Sequence, residues 1–425
     1  MKSARVSDWF REVEVYIHRI QRGNDSFAAN VLGARGALLS VLACFFEHGR
    51  WGSLVETVIG GQSLTAEDQL FILMQAAAYL TTREGGSLEA RICYERAESL
   101  CHSLSRPFLL CVALTGRWRH ALMTDKLSEA MHIAERIHSL AQEQNDPALM
   151  IEAYRALAVT FYWSGNFEST LQYAMRGIQL WRSGGGQSHP EDVDTPAVVC
   201  LCYQALSEWH LGHIAFCQAN IGEAISLAKE LKDMHALAIA LNLAASLATN
   251  ERDPAEVDRL ASDLIELSTR HNFLYFMAGG AIWRGWARSV SGDTTEGIPW
   301  IERGIRDFRA MGAMRGMPFF LALKAEAFHL ADRTSEALEA INEAEALAER
   351  FEQGFFSAEL HRLRGVFLAA MGAEETQIEA SFQEAVRIAT EQKSVSLQKR
   401  AEATYAEFFR QKESPSGGRG VRLPL

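Results

Sequence analysis

His210, His213 and Cys217 stand at i, i+3 and i+7, and on one unbroken helix they would bring two imidazoles and a thiolate together, as zinc requires. Gly212 interrupts that helix, and a structural zinc site takes four ligands, so no metal centre is expected there. Gly184-Gly185-Gly186-Gln187-Ser188 has the glycine content of a phosphate cradle. No Gly-Lys-Ser or Gly-Lys-Thr follows it, and its flanks read as helix rather than strand, so it reads as a joint. Neither G-x-S-x-G nor H-E-x-x-H occurs, the histidines are scattered, and acidic pairs such as Glu374-Glu375 fall on polar stretches. A noncatalytic chain is expected, with no cofactor and no metal.

The chemistry that remains is recognition. Arg155, Arg284 and Arg362 carry guanidinium forks that can grip an acidic side chain or a peptide C-terminus at two points, and Glu326 and Glu359 are polar residues on equivalent helices. Tyr203 and Trp283 offer wide contact at low entropic cost, and Asn242 adds a two-way hydrogen-bonding group. These eight residues form the candidate partner-binding set, with Arg288, Lys324, Trp118, Trp209 and Trp286 on equivalent helices. Gly116-Arg117-Trp118-Arg119-His120 mixes base and aromatic as nucleic-acid sites do. The chain, however, has 42 basic against 53 acidic residues, a net charge of −11, and no electrostatic case for nucleic acid or an anionic membrane. That patch is expected to be an exposed helix face or a partner contact.

The elements that must position these groups recur along the chain. In Ile151–Ser183, Tyr154, Leu157, Ala158 and Phe161 share one face of a first helix. Gly165-Asn166 breaks it, and Phe167, Leu171, Ala174, Gly177 and Ile178 form the inward face of a second. Ala158 and Gly177 are small where two axes must approach. Equivalent breaks fall at Gly49, Gly85, Asp125, Gly165, Gly212, Asn250, Gly292, Asp332 and Gly372, spaced 36 to 47 residues apart. Small residues follow them at the close-packing positions, among them Ala90, Ala97, Ala130, Ala134, Ala224, Gly297, Gly304, Ala337 and Ala344. Pro107, Pro147, Pro196 and Pro318 each sit at the start of a new first helix, where proline is tolerated.

A bulky residue, a small one four later, a glycine turn and a small-residue second helix make the tetratricopeptide (TPR) pattern. The expected fold is all-α, a right-handed α-solenoid of about nine TPR-like hairpins, since one hairpin cannot bury its own apolar face. Residues 1–60 read as capping helices and an irregular first hairpin. Residues 61–183 and 197–410 read as two stacks joined at 184–196, and 411–425 as a disordered tail. First helices line the concave surface of such a stack, and every member of the candidate set lies on one. The seven cysteines sit in apolar stretches without a C-x-x-C pair, as buried thiols in a reducing compartment do. No run is apolar enough to span a bilayer and no signal peptide is evident, so a cytoplasmic protein is expected.

From about residue 88 to 411 the chain resembles the C-terminal TPR region of bacterial STAND-type signalling ATPases with cyclase, winged-helix or LuxR-type outputs. The phrases that carry the resemblance include YERAESLCHSL (94–104), QNDPALMIEAYRALAVTFYWSGNFE (144–168), VVCLCYQALSEWHLG (198–212), IWRGWARSVSG (282–292) and AELHRLRGVFLAAMG (358–372). The resemblance implies a sensing or oligomerisation module in signal transduction or transcriptional regulation. The chain has no Walker A motif, cyclase domain or output helix-turn-helix, so those activities do not carry over. A protein or peptide partner on the concave face is expected, with a separate ATPase or regulator as a candidate. The alternative is a small-molecule sensor with its ligand near Arg284 and Trp283.

Overall fold

The computed structural model describes residues 66–124, 126–185, 194–413 and 423. Over these the chain forms seventeen α-helices and no strand. The first helices of the hairpins are α1 (Ala66–Glu84), α3 (Pro107–Thr124), α5 (Pro147–Ser164), α7 (Pro196–His210), α9 (Met234–Asn250), α11 (Leu274–Val290), α13 (Met317–Leu330), α15 (Ser357–Ala370) and α17 (Val395–Glu413). Between them run the second helices: α2 (Leu88–Ser103), α4 (Leu127–Gln144), α6 (Phe167–Leu180), α8 (Ile214–Glu230), α10 (Pro254–His271), α12 (Thr294–Ala310), α14 (Thr334–Arg350) and α16 (Glu375–Glu391). The TPR-like α-solenoid read from the sequence is the observed architecture. Residues 1–60, with the break at Gly49, and the break at Asp125 lie outside the described residues.

The two helix types are buried differently. On α8 only Cys217, Ile221, Ala224 and Ala228 are buried, a single stripe at helical spacing. Helix α7 buries every residue from Pro196 to His210 except Gln204. Helix α7 touches its own partner, the preceding second helix and the first helices on either side, so no face of it is left for water. Asp146, Asn166, Asp233, Asp253 and Asp293 cap helices by accepting backbone N–H groups, each worth about 1 kcal/mol. Pro107, Pro147 and Pro196 open their helices and Pro318 is the second residue of its own.

Gly85, Gly165, Gly212, Gly292, Asp332 and Gly372 all take a positive φ, the left-handed conformation that ends a helix. At Asn250 the reading was two residues early: Asn250 is helical, and Arg252 makes the turn at φ 62°. Close approach is tightest in the α11–α12 hairpin. A Cβ on Gly297 would lie 2.5 Å from the Gly285 carbonyl oxygen, and one on Gly304 2.5 Å from that of Ala278.

At the 184–196 segment, 186–193 lies outside the described residues. Asp194 and Thr195 are buried, Thr195 bonds Asp233 through both its backbone N–H and its hydroxyl at 2.8 Å, and α7 packs directly on α5 and α6. At the other end α17 continues to Glu413, and Leu423 is buried in the core.

The coil also closes on itself. Turns that follow the first helices of the N-terminal half meet turns that precede first helices of the C-terminal half. Met314 N–H donates to the Met123 carbonyl at 2.7 Å and Phe355 N–H to that of Trp163 at 3.3 Å. Ser396 donates to the Trp209 carbonyl at 2.5 Å, and His210 Nδ1 pairs with Ser394 at 2.9 Å. One superhelical turn thus spans somewhat under five hairpins, and successive turns touch along their rims.

Candidate functional site

Three spacings organise the polar contacts. Pairs about 20 residues apart join a first helix to the preceding second helix: Arg364 to Glu345 at 2.5 Å and Arg284 to Ser262 at 2.5 Å. Pairs about 40 apart run along the inner face between neighbouring first helices. They include Trp118 to Thr160 at 2.9 Å, Trp163 to Tyr203 at 3.1 Å, Trp283 to Asn242 at 2.8 Å and Trp286 to Glu326 at 3.0 Å. The third set, 184 to 225 apart, closes the coil.

The centre of the inner face is ionic. Asp194, with its side chain fully enclosed, accepts from Arg119 at 2.5 and 2.9 Å and from Arg155 at 3.4 Å. Arg155 in turn grips Glu152 at 2.5 and 2.9 Å and lies 5.0 Å from the Trp118 ring centre. Burial alone would raise the Asp194 carboxyl. The guanidiniums of Arg119 and Arg155 more than reverse this and hold it well below the usual carboxylate range. His235 Nδ1 sits 3.5 Å from Asp194, at the outer limit of a hydrogen bond, and also favours the ionised carboxyl.

Beside this cluster is a cavity of about 60 Å³. Trp118 and Arg119 on α3, Arg155 and Val159 on α5, and Val199 and Tyr203 on α7 line it. So do His235, Ile239 and Asn242 on α9, Tyr275 and Phe276 on α11, and Arg315 from the turn before α13. Gly85 belongs to the wall: at φ 75° it leaves room for the Tyr275 ring, 2.9 Å from where a Cβ would stand. Arg315 is carried in by the closing contact, since its own N–H donates to the Met123 carbonyl at 3.2 Å.

Of the eight candidate residues, Arg155, Tyr203 and Asn242 come together around this cavity. Trp283 backs it through Asn242 and is buried. Glu326, Glu359 and Arg362 are also buried and form a second inner cluster, with Arg252 bonded to Glu326 at 2.8 and 3.0 Å. Arg362 bonds Glu359 at 2.8 and 3.0 Å, and Arg400 bonds it at 3.2 Å. An open trough was expected at these three, but the closed coil leaves them no solvent. Arg284 is placed elsewhere. It packs on Ser262, Asp258 and the Trp300 ring in the outer layer, because adjacent helical residues point about 100° apart. It therefore shares no groove with Trp283.

The 116–120 patch is not an exposed face: Trp118, Arg119 and His120 are buried, and Arg117 is paired with Glu98. His210 stacks on Phe167 at 3.7 Å and Cys217 donates to the Ile214 carbonyl, so the two diverge rather than share a ligand. Among the described residues no group of three or more His, Cys, Asp or Glu converges on a metal-sized space. The six described cysteines are free and buried, and burial pushes the Cys200 thiol up to about 12. No described helix is long and apolar enough to cross a membrane. Sequence reasoning missed Asp194, His235, Tyr275 and Arg315. Asp194 and Arg315 sit in turns beside Pro196 and Pro318, where a charged residue reads as ordinary loop.

No protein-family model matches the chain. An uncharacterized protein of Rhizobium meliloti (strain 1021) is 24% identical over 277 residues, 65% of this chain, and the chain spans only 27% of that relative's length. Among solved structures, a Rap protein complexed with Competence and Sporulation Factor aligns over 80% of this chain and 99% of its own at a TM-score of 0.51 and 11% identity. NprR in complex with its cognate peptide NprX aligns over 82% and 99%, at 0.50 and 11%. Human IFIT1 bound to m7Gppp-AAAA aligns over 94% and 85%, at 0.50 and 12%. These likenesses establish the TPR-like fold.

Proposed function

We propose that the chain is a noncatalytic TPR-like regulatory scaffold that takes a protein or peptide partner on its inner face, between α3 and α11. The observation that carries this reading is the polar recess there, to which Arg155, Tyr203 and Asn242 contribute from three successive hairpins. Around Glu326 and Glu359 the inner face is tied up in its own ion pairs, whereas groups in this recess remain to be used. Rap holds Competence and Sporulation Factor and NprR its cognate peptide in their solved complexes, which supports a peptide-sized partner. The sequence resemblance to bacterial signalling ATPases supports a role in signal transduction, with a separate ATPase or regulator among the candidate partners.

A peptide-display selection on the full chain tests this. Binding of a selected peptide should fall at least about tenfold in His235→Ala and Asn242→Ala chains, while Arg270→Ala on the outer layer binds as wild type. Equal binding by all three chains would remove the inner-face reading.

A further inference from the structure

The recess has an unbalanced hydrogen-bond inventory. Tyr203 Oη already accepts from Trp163, Tyr275 Oη accepts from Arg315 at 3.2 Å, and Asn242 Oδ1 accepts from Trp283. Their protons are all unspent: two phenolic O–H and one amide NH2, none with an acceptor among the described residues. Arg315 is in the same position. Its guanidinium lies 5.4 Å from the Trp163 ring centre and 5.8 Å from that of Tyr275. It bonds only the Tyr275 hydroxyl and has no carboxylate partner, and its Nε is buried without any. Arg119 and Arg155 are answered by Asp194 and Glu152. Arg315 therefore adds a positive charge with no carboxylate partner to a recess whose own lining carboxylate, Asp194, is already held by Arg119 and Arg155.

A water molecule accepts only two of these protons and brings two of its own to place. An ionised carboxylate brings none and about four lone-pair sites, and a guanidinium edge matches it at two points. A cavity of about 60 Å³ holds roughly four or five water-sized atoms on this measure. That is the head of an acid and no more of its body.

We propose that this recess is a carboxylate-binding site centred on Arg315, with Tyr203, Tyr275 and Asn242 as the remaining donors. The inference rests on the inner-face reading above and deepens it by naming the ligand chemistry: the free carboxylate of a peptide end, or that of a small organic acid.

Calorimetric titration of the full chain at constant ionic strength tests it, with sodium acetate, sodium propionate, and N-acetyl-tetraalanine as the free acid and as the amide. Binding of carboxylates over chloride is expected, with the tetraalanine amide at least about tenfold weaker than its acid. Acetate or propionate binding as well as the peptide acid identifies a small acid as sufficient; a peptide acid that binds tighter identifies a chain end. Arg315→Met should abolish the binding, and Tyr275→Phe, which keeps the ring, should weaken it several-fold. Carboxylates that bind no better than chloride would overturn the proposal, as would both variants binding like wild type. Neither result would touch selection of an uncharged peptide on the same face, so the two readings fail separately.

Discussion

Two ionic clusters occupy the inner face, one around Asp194 and the other around Glu359. Each sets three guanidiniums against two carboxylates. Around Glu359, all three arginines bond a carboxylate: Arg252 with Glu326, and Arg362 and Arg400 with Glu359. Arg400 reaches further, to the Asn250 carbonyl across the coil. Around Asp194 only Arg119 and Arg155 are answered, and Arg315 faces a cavity. Three guanidiniums set against two carboxylates thus serve two ends. Where the coil closes and its rims lock, paired charges act as structure. Where space remains, an unanswered charge is available to a ligand.

The largest expected effect breaks the closed cluster. Burial would raise the Glu359 carboxyl, but Arg362 and Arg400 hold it at about 2. Glu359→Ala takes away the carboxylate that answers Arg362 and Arg400, which should cost about 3–5 kcal/mol in urea unfolding. A loss below about 1 kcal/mol would mean the cluster is solvated and the contrast false.

A smaller effect follows from the rim contact at His210. Burial pushes this imidazole down to about 3, against 6.5 when unfolded. Between those values the unfolded chain binds the extra proton, so the stability is complete above pH 6.5 and is lost as the pH falls. By pH 5 the loss should reach roughly 2 kcal/mol, and His210→Phe, stacking on Phe167 in its place, should remove that part of the acid slope. An unchanged slope would put His210 in contact with water.

The smallest effect is at Arg315. With no carboxylate to abandon, Arg315→Met should change unfolding stability by less than about 1 kcal/mol. A loss as large as that of Glu359→Ala would make Arg315 structural and the two clusters alike.

How much of this was legible follows from the range over which each feature is determined. Gly165, Pro196 and Ala224 report local geometry, and the hairpins, their turns and the inner placement of Arg155 and Glu359 could be read from them. Arg252 gave no such signal, since a left-handed arginine resembles any other arginine in sequence. The divergence of Trp283 and Arg284 lay within reach of the helical period. The partners of Arg315 and His210 did not. They depend on the small rotation between successive hairpins, summed over nearly two hundred residues, which no local pattern encodes. That rotation turned the expected trough into paired charges at Arg362 and left the recess at Asn242.

Hydrogen–deuterium exchange of the full chain, with and without a selected peptide, tests the central claim most directly. Partner binding on the inner face predicts new protection in α7, α9 and α11 and in the 312–316 turn that carries Arg315, with α8, α10 and α12 unchanged. Protection confined to those outer helices, with the inner ones unaltered, would contradict it.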